Sequence, residues 1–362
     1  MKRTRVTLLA GIIFLFASLC YAANYAGEFL NIGVGGRALG MGGAFTGLAD
    51  DGTAAYWNPA GLGQLDRKEL NLMYSPGVVP DAVAIGPQLG MDYHFLSYVH
   101  PLGNMRIGLS MVYMKIAGIE DTRDLEFNDA DGNGVRDEGE MIYYDTNRIT
   151  ESTDIEYAGI FSFCYNFGPN LSIGGNVKQI AQSVFEYSST GMGFDVGLHY
   201  RMNPRNQYTG EGGSGLSVGI NVRDVLGTEL AWTTNVNSAF YKDSGHIWAS
   251  RLSPGSDTIP LSVKAGVAYR FKLPFTSETA IGFDFDTRYG MNMHAGLEAW
   301  FFDVFALRAG GTQIAGPETA VTSMSAGAGL KMGGITEINY AFVGLGTDTM
   351  GTAHRISMAV KF

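Results

Sequence analysis

The chain has 362 residues, with 25 Lys and Arg against 35 Asp and Glu, a formal net charge of −10, 50 glycines and two cysteines. The acidic balance argues against nucleic acid as a partner, and so few cysteines exclude a disulfide-stapled scaffold. Hydrophobic residues make up 46% of the sequence, yet past residue 23 no apolar run reaches the roughly 18 or more residues that a spanning helix needs.

Residues 1–23 read as a secretory leader: Lys2, Arg3 and Arg5 form the positive region, Val6 to Leu19 the apolar core, and Ala22 or Ala23 the small-residue exit. Loss of the leader takes the charge from −10 to −13 and leaves Cys164 as the sole cysteine, so no internal disulfide is expected. Lipidation at Cys20 is disfavoured, because Leu19 stands where a small residue is needed. The mature chain is expected outside the cytoplasm. If it is integral to a membrane it must be a closed barrel, since hydrocarbon satisfies no backbone donor and tolerates no open sheet edge.

Residues 24–65 are glycine-rich and lack strand alternation, which predicts an inserted, plug-like segment inside or across the periplasmic mouth of a barrel. Its marked residues are Gly40, Gly42, Gly43, Asp50, Asp51, Trp57, Asn58 and Pro59. Asn58-Pro59 predicts a turn, because proline drives the preceding residue out of the helical region and asparagine can bond nearby backbone. Trp57 is read as an anchor against the barrel wall, with stacking on a ligand as the alternative. Gly33-x-Gly35-x-x-Ala38 formally matches a dinucleotide-binding turn, but no parallel-sheet pattern follows it, so close backbone packing explains the glycines better.

Residues 66–362 carry period-two patterning, which predicts an all-β transmembrane antiparallel barrel of about fourteen strands. The strands are expected near 69–75, 91–100, 105–117, 154–167, 171–187, 191–202, 215–223, 259–271, 279–288, 292–302, 305–313, 323–332, 336–344 and 352–362. Tyr157, Phe161, Phe163, Tyr165 and Phe167 share one face. Ile281, Phe283 and Phe285 alternate with Gly282, Asp284 and Asp286, and Ile356, Met358, Val360 and Phe362 with Arg355, Ser357, Ala359 and Lys361. The bulky apolar face belongs to lipid and the charged face to the lumen. With the N-terminal segment on the periplasmic side, strand parity puts the long connections 118–153 and 224–258 outside the cell.

The first of these loops carries Asp129, Asp131, Asn133, Gly134, Val135, Asp137 and Glu140 in the spacing D-x-[DN]-x-[DN]-G-x5-E. Calcium takes six to eight oxygens, and this run offers the side chains of Asp129, Asp131, Asn133, Asp137 and Glu140 plus the Val135 carbonyl around a glycine turn. A structural Ca2+ that stiffens the loop is therefore expected. Gly215-x-Ser217-x-Gly219 matches a hydrolase elbow only formally, since Ser217 lies in a strand pattern and not at a strand-to-helix turn. The histidines are scattered with no serine partner in evidence, so no enzyme is expected.

Asn31 to Gly63, through Gly40-Met41-Gly42-Gly43-Ala44, Asp50-Asp51 and Trp57 to Leu62, resembles the N-terminal signature of the PorV/PorQ family of outer-membrane proteins. That family is similar to the FadL-type long-chain fatty acid transporters, which carry a like Asn-Pro-Ala element in a plug-like segment ahead of a fourteen-stranded barrel. The match spans about a tenth of the chain. The resemblance implies a location in the cell outer membrane, amid outer-membrane lipid, and passage of a hydrophobic small molecule. Inward Met114, Ile180 and Trp300 are the candidates for an apolar path. It implies, as the alternative, an outer-membrane component of type IX-like protein secretion with exported proteins as partners. A structural surface barrel is the third.

Overall fold

The structure, a computed structural model, describes residues 26–75, 90–121, 150–203, 214–234, 255–288, 290–314, 321–344 and 352–362. Sixteen strands follow the N-terminal segment: β1 (Glu69–Ser75), β2 (Gly90–Leu102), β3 (Met105–Asp121), β4 (Thr150–Asn166), β5 (Leu171–Val184), β6 (Tyr187–Arg201), β7 (Gly215–Arg223), β8 (Thr228–Thr234), β9 (Ser256–Ile259), β10 (Ser262–Phe271), β11 (Glu278–Asp286), β12 (Asn292–Phe301), β13 (Phe305–Ile314), β14 (Val321–Met332), β15 (Thr336–Gly344) and β16 (Thr352–Lys361). Fourteen close into an antiparallel barrel. Each pairs with its neighbour in sequence, except that β7 pairs with β10, and β1 pairs with β16 to seal the ring. The remaining two, β8 and β9, form a hairpin on the first residues of β6, Tyr187 to Thr190.

All fourteen expected wall strands are present, with ends shifted by a few residues. The hairpin was not anticipated: it lies in a stretch expected as plain loop. Among the described residues it buries two large apolar side chains, Leu230 and Ile259, too few to stand out as a periodic pattern. The leader and the proposed calcium loop, Asp129 to Glu140, lie outside the described residues.

Alternation becomes geometry in every wall strand. On β4, Tyr157, Phe161, Phe163 and Tyr165 are 42–47% exposed while Ser162 and Cys164 are buried. On β11, Ile281, Phe283 and Phe285 face out and Asp284 and Asp286 face in. The outer surface is thus an apolar belt that water would not tolerate and a bilayer would solvate, whereas the ionisable groups converge inside. Among the described residues no helix is long and apolar enough to cross a membrane.

An outward arginine tests this belt. Phe283→Arg or Val267→Arg should cost about 2–4 kcal/mol near mid-bilayer and reduce the folded fraction seen as heat-modifiable gel mobility, whereas Phe283→Tyr should leave it intact. Asp284, the next residue inward, is no neutral control. It accepts hydrogen bonds from the backbone of Phe45 and Thr46 at 2.9 and 2.8 Å, so a substitution there disturbs the lumen instead.

Candidate functional site

The lumen is occupied by residues 26–65. Because the end of the barrel where β1 begins also holds the short turns at 103–104 and 333–335, it is called the lower end. The segment starts near the upper end, where Gly27 meets Ile259 of the hairpin. It finishes at the lower end, where Asn166 donates to the Gly63 carbonyl at 2.9 Å and Arg106 to the Leu65 carbonyl at 2.6 Å. The segment expected inside or across the periplasmic mouth lies inside the barrel and runs from its upper end to its lower end.

Its local structure is a chain of single turns. A 3-10 turn at Glu28–Asn31 is followed by helix α1 (Gly36–Gly40), helix α2 (Ala54–Trp57) and a second 3-10 turn at Pro59–Gln64. The α1 helix ends because Gly42 and Gly43 are left-handed, at φ of 64° and 74°, which lets the Gly43 N–H reach back to the Ala38 carbonyl at 2.9 Å. Asn58 starts the last turn as the sequence predicts: its side chain accepts from the Ala60 N–H at 3.1 Å, with Pro59 in the first turn position.

So little regular structure leaves many backbone groups to satisfy, and in a buried lumen each must find a partner. The wall supplies them. Ser357 accepts from the Gly36 N–H at 2.9 Å, Thr312 donates to the Gly42 carbonyl at 2.7 Å, Ser217 to the Gly47 carbonyl at 2.7 Å, Asn176 to the Ala55 carbonyl at 2.8 Å and Asn221 to the Trp57 carbonyl at 3.1 Å. Ser217 is therefore a lumen bond donor within a wall strand. His199 and His294 likewise bond the segment, at the carbonyls of Gly47 and Gly42, while His94 stacks outward between Tyr74 and Tyr113.

Where the segment's backbone comes closest to the wall from β14 round to β5, each strand presents a glycine. Gly327, Gly310, Gly296, Gly282, Gly266, Gly219, Gly197 and Gly174 lie on consecutive strands from β14 round to β5 and meet, in turn, Gly40, Gly42, Met41, Ala44, Gly47, Thr46, Asn58 and Pro59. A Cβ at Gly282 would stand 2.6 Å from the Ala44 carbonyl oxygen, and one at Gly174 2.5 Å from the Pro59 carbonyl carbon. Backbone lies on backbone along a helical track around the lumen, which no larger residue permits.

Charge fixes the segment within that track. The Arg37 guanidinium makes a two-pronged pair with Glu298, Nε to Oε2 at 2.8 Å and Nη2 to Oε1 at 2.7 Å, and reaches Asp50 through Nη1 at 2.7 Å. Arg308 holds the same Glu298 at 2.6 Å and Arg270 the same Asp50 at 2.8 Å. Two carboxylates of the segment behave oppositely. Burial opposes ionisation of Asp50, but Arg37 and Arg270 outweigh it and hold the carboxyl well below its usual range. Burial pushes Asp51 up to about 6; Arg37 pulls it down, and Glu69 and Asp50 add to the rise. A second ionic cluster, Lys178 with Asp195 and Asp224, and Arg288 with Asp224, stands above the track.

The marked residues of the segment are gathered here. Gly40, Gly42 and Gly43 turn it against β11–β14, and Trp57 donates to the Val34 carbonyl at 3.0 Å with the Lys264 ammonium 4.5 Å above its ring. Arg37, Glu298 and Arg308 were not picked out from sequence, and Asp284 and Gly282 were read only as facing the lumen, with no partner assigned. The one available signal was a glycine recurring at an inward position in strand after strand.

The inner wall is two-sided. In the upper part of β1–β5 the inward side chains Met73, Tyr93, Phe95, Val112, Met114, Ile160 and Ile180 form one apolar cluster with Phe29 and Leu30 of the segment, while lower down the same strands turn Glu69, Asn71, Ser97, Ser110 and Asn176 inward. Around the rest of the ring they include Lys264, Asp284, Asp286, Glu298 and Arg308. Met114 and Ile180 thus line the apolar side as expected. Trp300 does not: its ring lies beneath Lys331 at 3.6 Å and Arg308 at 5.3 Å, on the ionic side.

No family model matches the chain, and no curated protein matches it. Solved structures do. Over 91% of this chain and 98% of the other, it is similar to the CymD monoaromatic hydrocarbon channel, with a TM-score of 0.60 at 16% identity. It is also similar to the Pseudomonas putida toluene transporter TodX, with a TM-score of 0.57 at 15% identity over 91% and 97% of the two chains. A third neighbour is a Pseudomonas aeruginosa FadL homologue, with a TM-score of 0.53 at 12% identity over 90% and 97%. At these identities the likeness is one of fold, shared along nearly the whole of each chain: a FadL-like transmembrane β-barrel.

Proposed function

We propose that the chain is an outer-membrane channel for hydrophobic solutes, with the segment 26–65 as its plug. The observation that carries this reading is the apolar cluster on the upper inner wall of β1–β5. Lumens of water-filled barrels are polar, and the ionic wall of β10–β14 shows that this barrel can build that kind of surface. An apolar strip facing inward suits a greasy solute and serves no aqueous pore. The names of the structural neighbours, channels and transporters of monoaromatic hydrocarbons, support the same class.

Toluene uptake into liposomes carrying the barrel tests it. Val112→Asp with Ile160→Asp, two inward positions, should lower uptake about tenfold or more, because a buried carboxylate without a partner repels an apolar solute, while heat-modifiable mobility stays normal. Uptake no faster than through protein-free liposomes would end the proposal. A second reading rests on the PorV/PorQ resemblance of Asn31 to Gly63: an outer-membrane partner of exported proteins. Mass spectrometry of material purified from native membranes separates the two, since one predicts a bound apolar molecule and the other a bound secreted protein.

For the loop Asp129 to Glu140 we propose structural calcium. Protease nicking between residues 118 and 153 should rise with chelator and fall with calcium, and Asp129→Ala or Glu140→Ala should mimic chelation. Extracellular sites of this kind often bind at about 0.1–1 mM, so unchanged nicking up to millimolar calcium would make the run a solvated acidic loop.

A further inference from the structure

A small cavity lies where the segment meets the second ionic cluster, with a volume of about 20 Å³, room for a single water or small ion. Lys178 of β5, Asp195 of β6, Arg223 of β7 and Arg288, just past β11, line it, together with Leu30 and Tyr56 of the segment and Ile160 of β4. Lys178 and Arg288 are each 4% exposed. The cavity touches two unused donors: the Nε of Arg223 and the Nε of Arg288 are buried with no hydrogen-bond partner among the described residues. Buried N–H groups left unpaired are a cost that native proteins rarely keep.

The lining has donors to spare and its acceptors are engaged. Asp195 Oδ1 accepts from the Lys178 ammonium at 2.7 Å and from the Asp224 N–H at 3.0 Å, and Oδ2 accepts from Asn176 at 2.9 Å. The Tyr56 hydroxyl donates to the Leu30 carbonyl, and the Ala55 carbonyl, also in the lining, accepts from Asn176 at 2.8 Å. A water here would take the two Nε donors and find no free acceptor for its own hydrogens. An anion has no hydrogens to place. The carboxylates of the cluster do not stand free to repel it, since Asp224 is held by Lys178 and Arg288, Asp286 by Arg223 and Asp195 by Lys178.

We propose that this cavity binds one compact monoatomic anion, a halide of the chloride class, as a buried pin between the segment and the wall. Its volume is too small for sulfate or phosphate. The ligands come from the segment and from β4–β7, and Arg288 also donates to Asn31 of the segment at 2.6 Å, so the site exists only while the segment is seated. An ion that binds only that state stabilises it by mass action. The pin is independent of which solute the barrel passes.

The test uses the whole barrel. Crystals grown in sodium bromide should show an anomalous peak in the cavity, within hydrogen-bond reach of both Nε atoms. In solution, at constant ionic strength, replacing gluconate by chloride or bromide should raise the temperature at which folded gel mobility is lost, in proportion to the logarithm of halide concentration once the site fills. Sulfate should not. Arg288→Lys and Arg223→Lys keep the charge and remove the Nε donor, and each should need about tenfold more halide for the same rise. Arg308→Lys, in the other ionic cluster, should respond as wild type does. The crystallographic arm needs no variant, so it decides even where a lysine variant fails to fold.

An anomalous map with no peak in the cavity would make it a water site and overturn the proposal. Bromide seen there with no halide effect on the melt would mark binding at crystal concentration only and would equally overturn the pin. A halide effect of the same size in Arg288→Lys, Arg223→Lys and wild type would be a general salt effect, and the assignment would fall.

Discussion

Arg37→Ala is expected to unseat the lumen segment and turn a closed barrel into a conducting one. The guanidinium is the shared partner of Glu298 and Asp50, and Glu298 is fully buried. Removing one member of such a buried pair leaves uncompensated charge and costs about 3–5 kcal/mol. The wall strands are held by their own ladders and Glu298 keeps Arg308 at 2.6 Å, so most of the cost falls on the docking of the segment. Single-channel conductance in planar bilayers should rise sharply over wild type, with heat-modifiable mobility preserved. A closed Arg37→Ala barrel would show that the glycine track suffices without the ionic clamp.

The two neighbouring aspartates should then separate. Asp50→Asn removes a carboxylate whose charged form is favoured by Arg37 and Arg270, and should open the barrel as Arg37→Ala does. Asp51→Asn should not. The Asp51 carboxyl, raised to about 6, is penalised while ionised, and an acid raised in the folded state gains stability as pH falls through that value. Lowering the pH from 7 to 5 should thus tighten the seal of the wild type and leave Asp51→Asn unaffected. Leakage that grows over this interval would contradict the assignment.

The second large effect belongs to the wall glycines. Gly282→Val with Gly310→Val places a Cβ against the Ala44 carbonyl oxygen at one site and the Met41–Gly42 backbone at the other. Neither neighbour is a side-chain tip that can swing aside. Overpacking costs about 1–3 kcal/mol per site, whereas valine suits a strand, so the barrel should assemble with its segment displaced. Conductance should approach that of a deletion of residues 33–62. Gly159→Val, where a Cβ meets nothing within 4 Å, should stay closed. A closed double variant would mean that the segment can reroute, and that the track is not what seats it.

These outcomes turn on features that differ in how far one strand at a time reveals them. The barrel was legible in sequence because its burial rule is local. Each residue faces lipid or lumen by parity alone, so Phe283 and Asp284 declare their faces without reference to any partner. The segment was legible for a related reason: a stretch with Gly40, Gly42 and Gly43 and no alternation cannot be a wall strand. Yet its route from Gly27 at the upper end to Leu65 at the lower was not. Its contacts join residues far apart in the chain, as Arg37 joins Glu298 across 261 positions. Strand parity by itself says that Glu298, Asp284 and Gly282 face inward, and it says nothing of height around the ring. Only closure of β1 on β16 and the register of each ladder bring the inward glycines onto one track and pair Arg37 with Glu298. Parity is a property of one strand; height is set by the summed register of all fourteen, and that is where the tertiary structure decided the lumen.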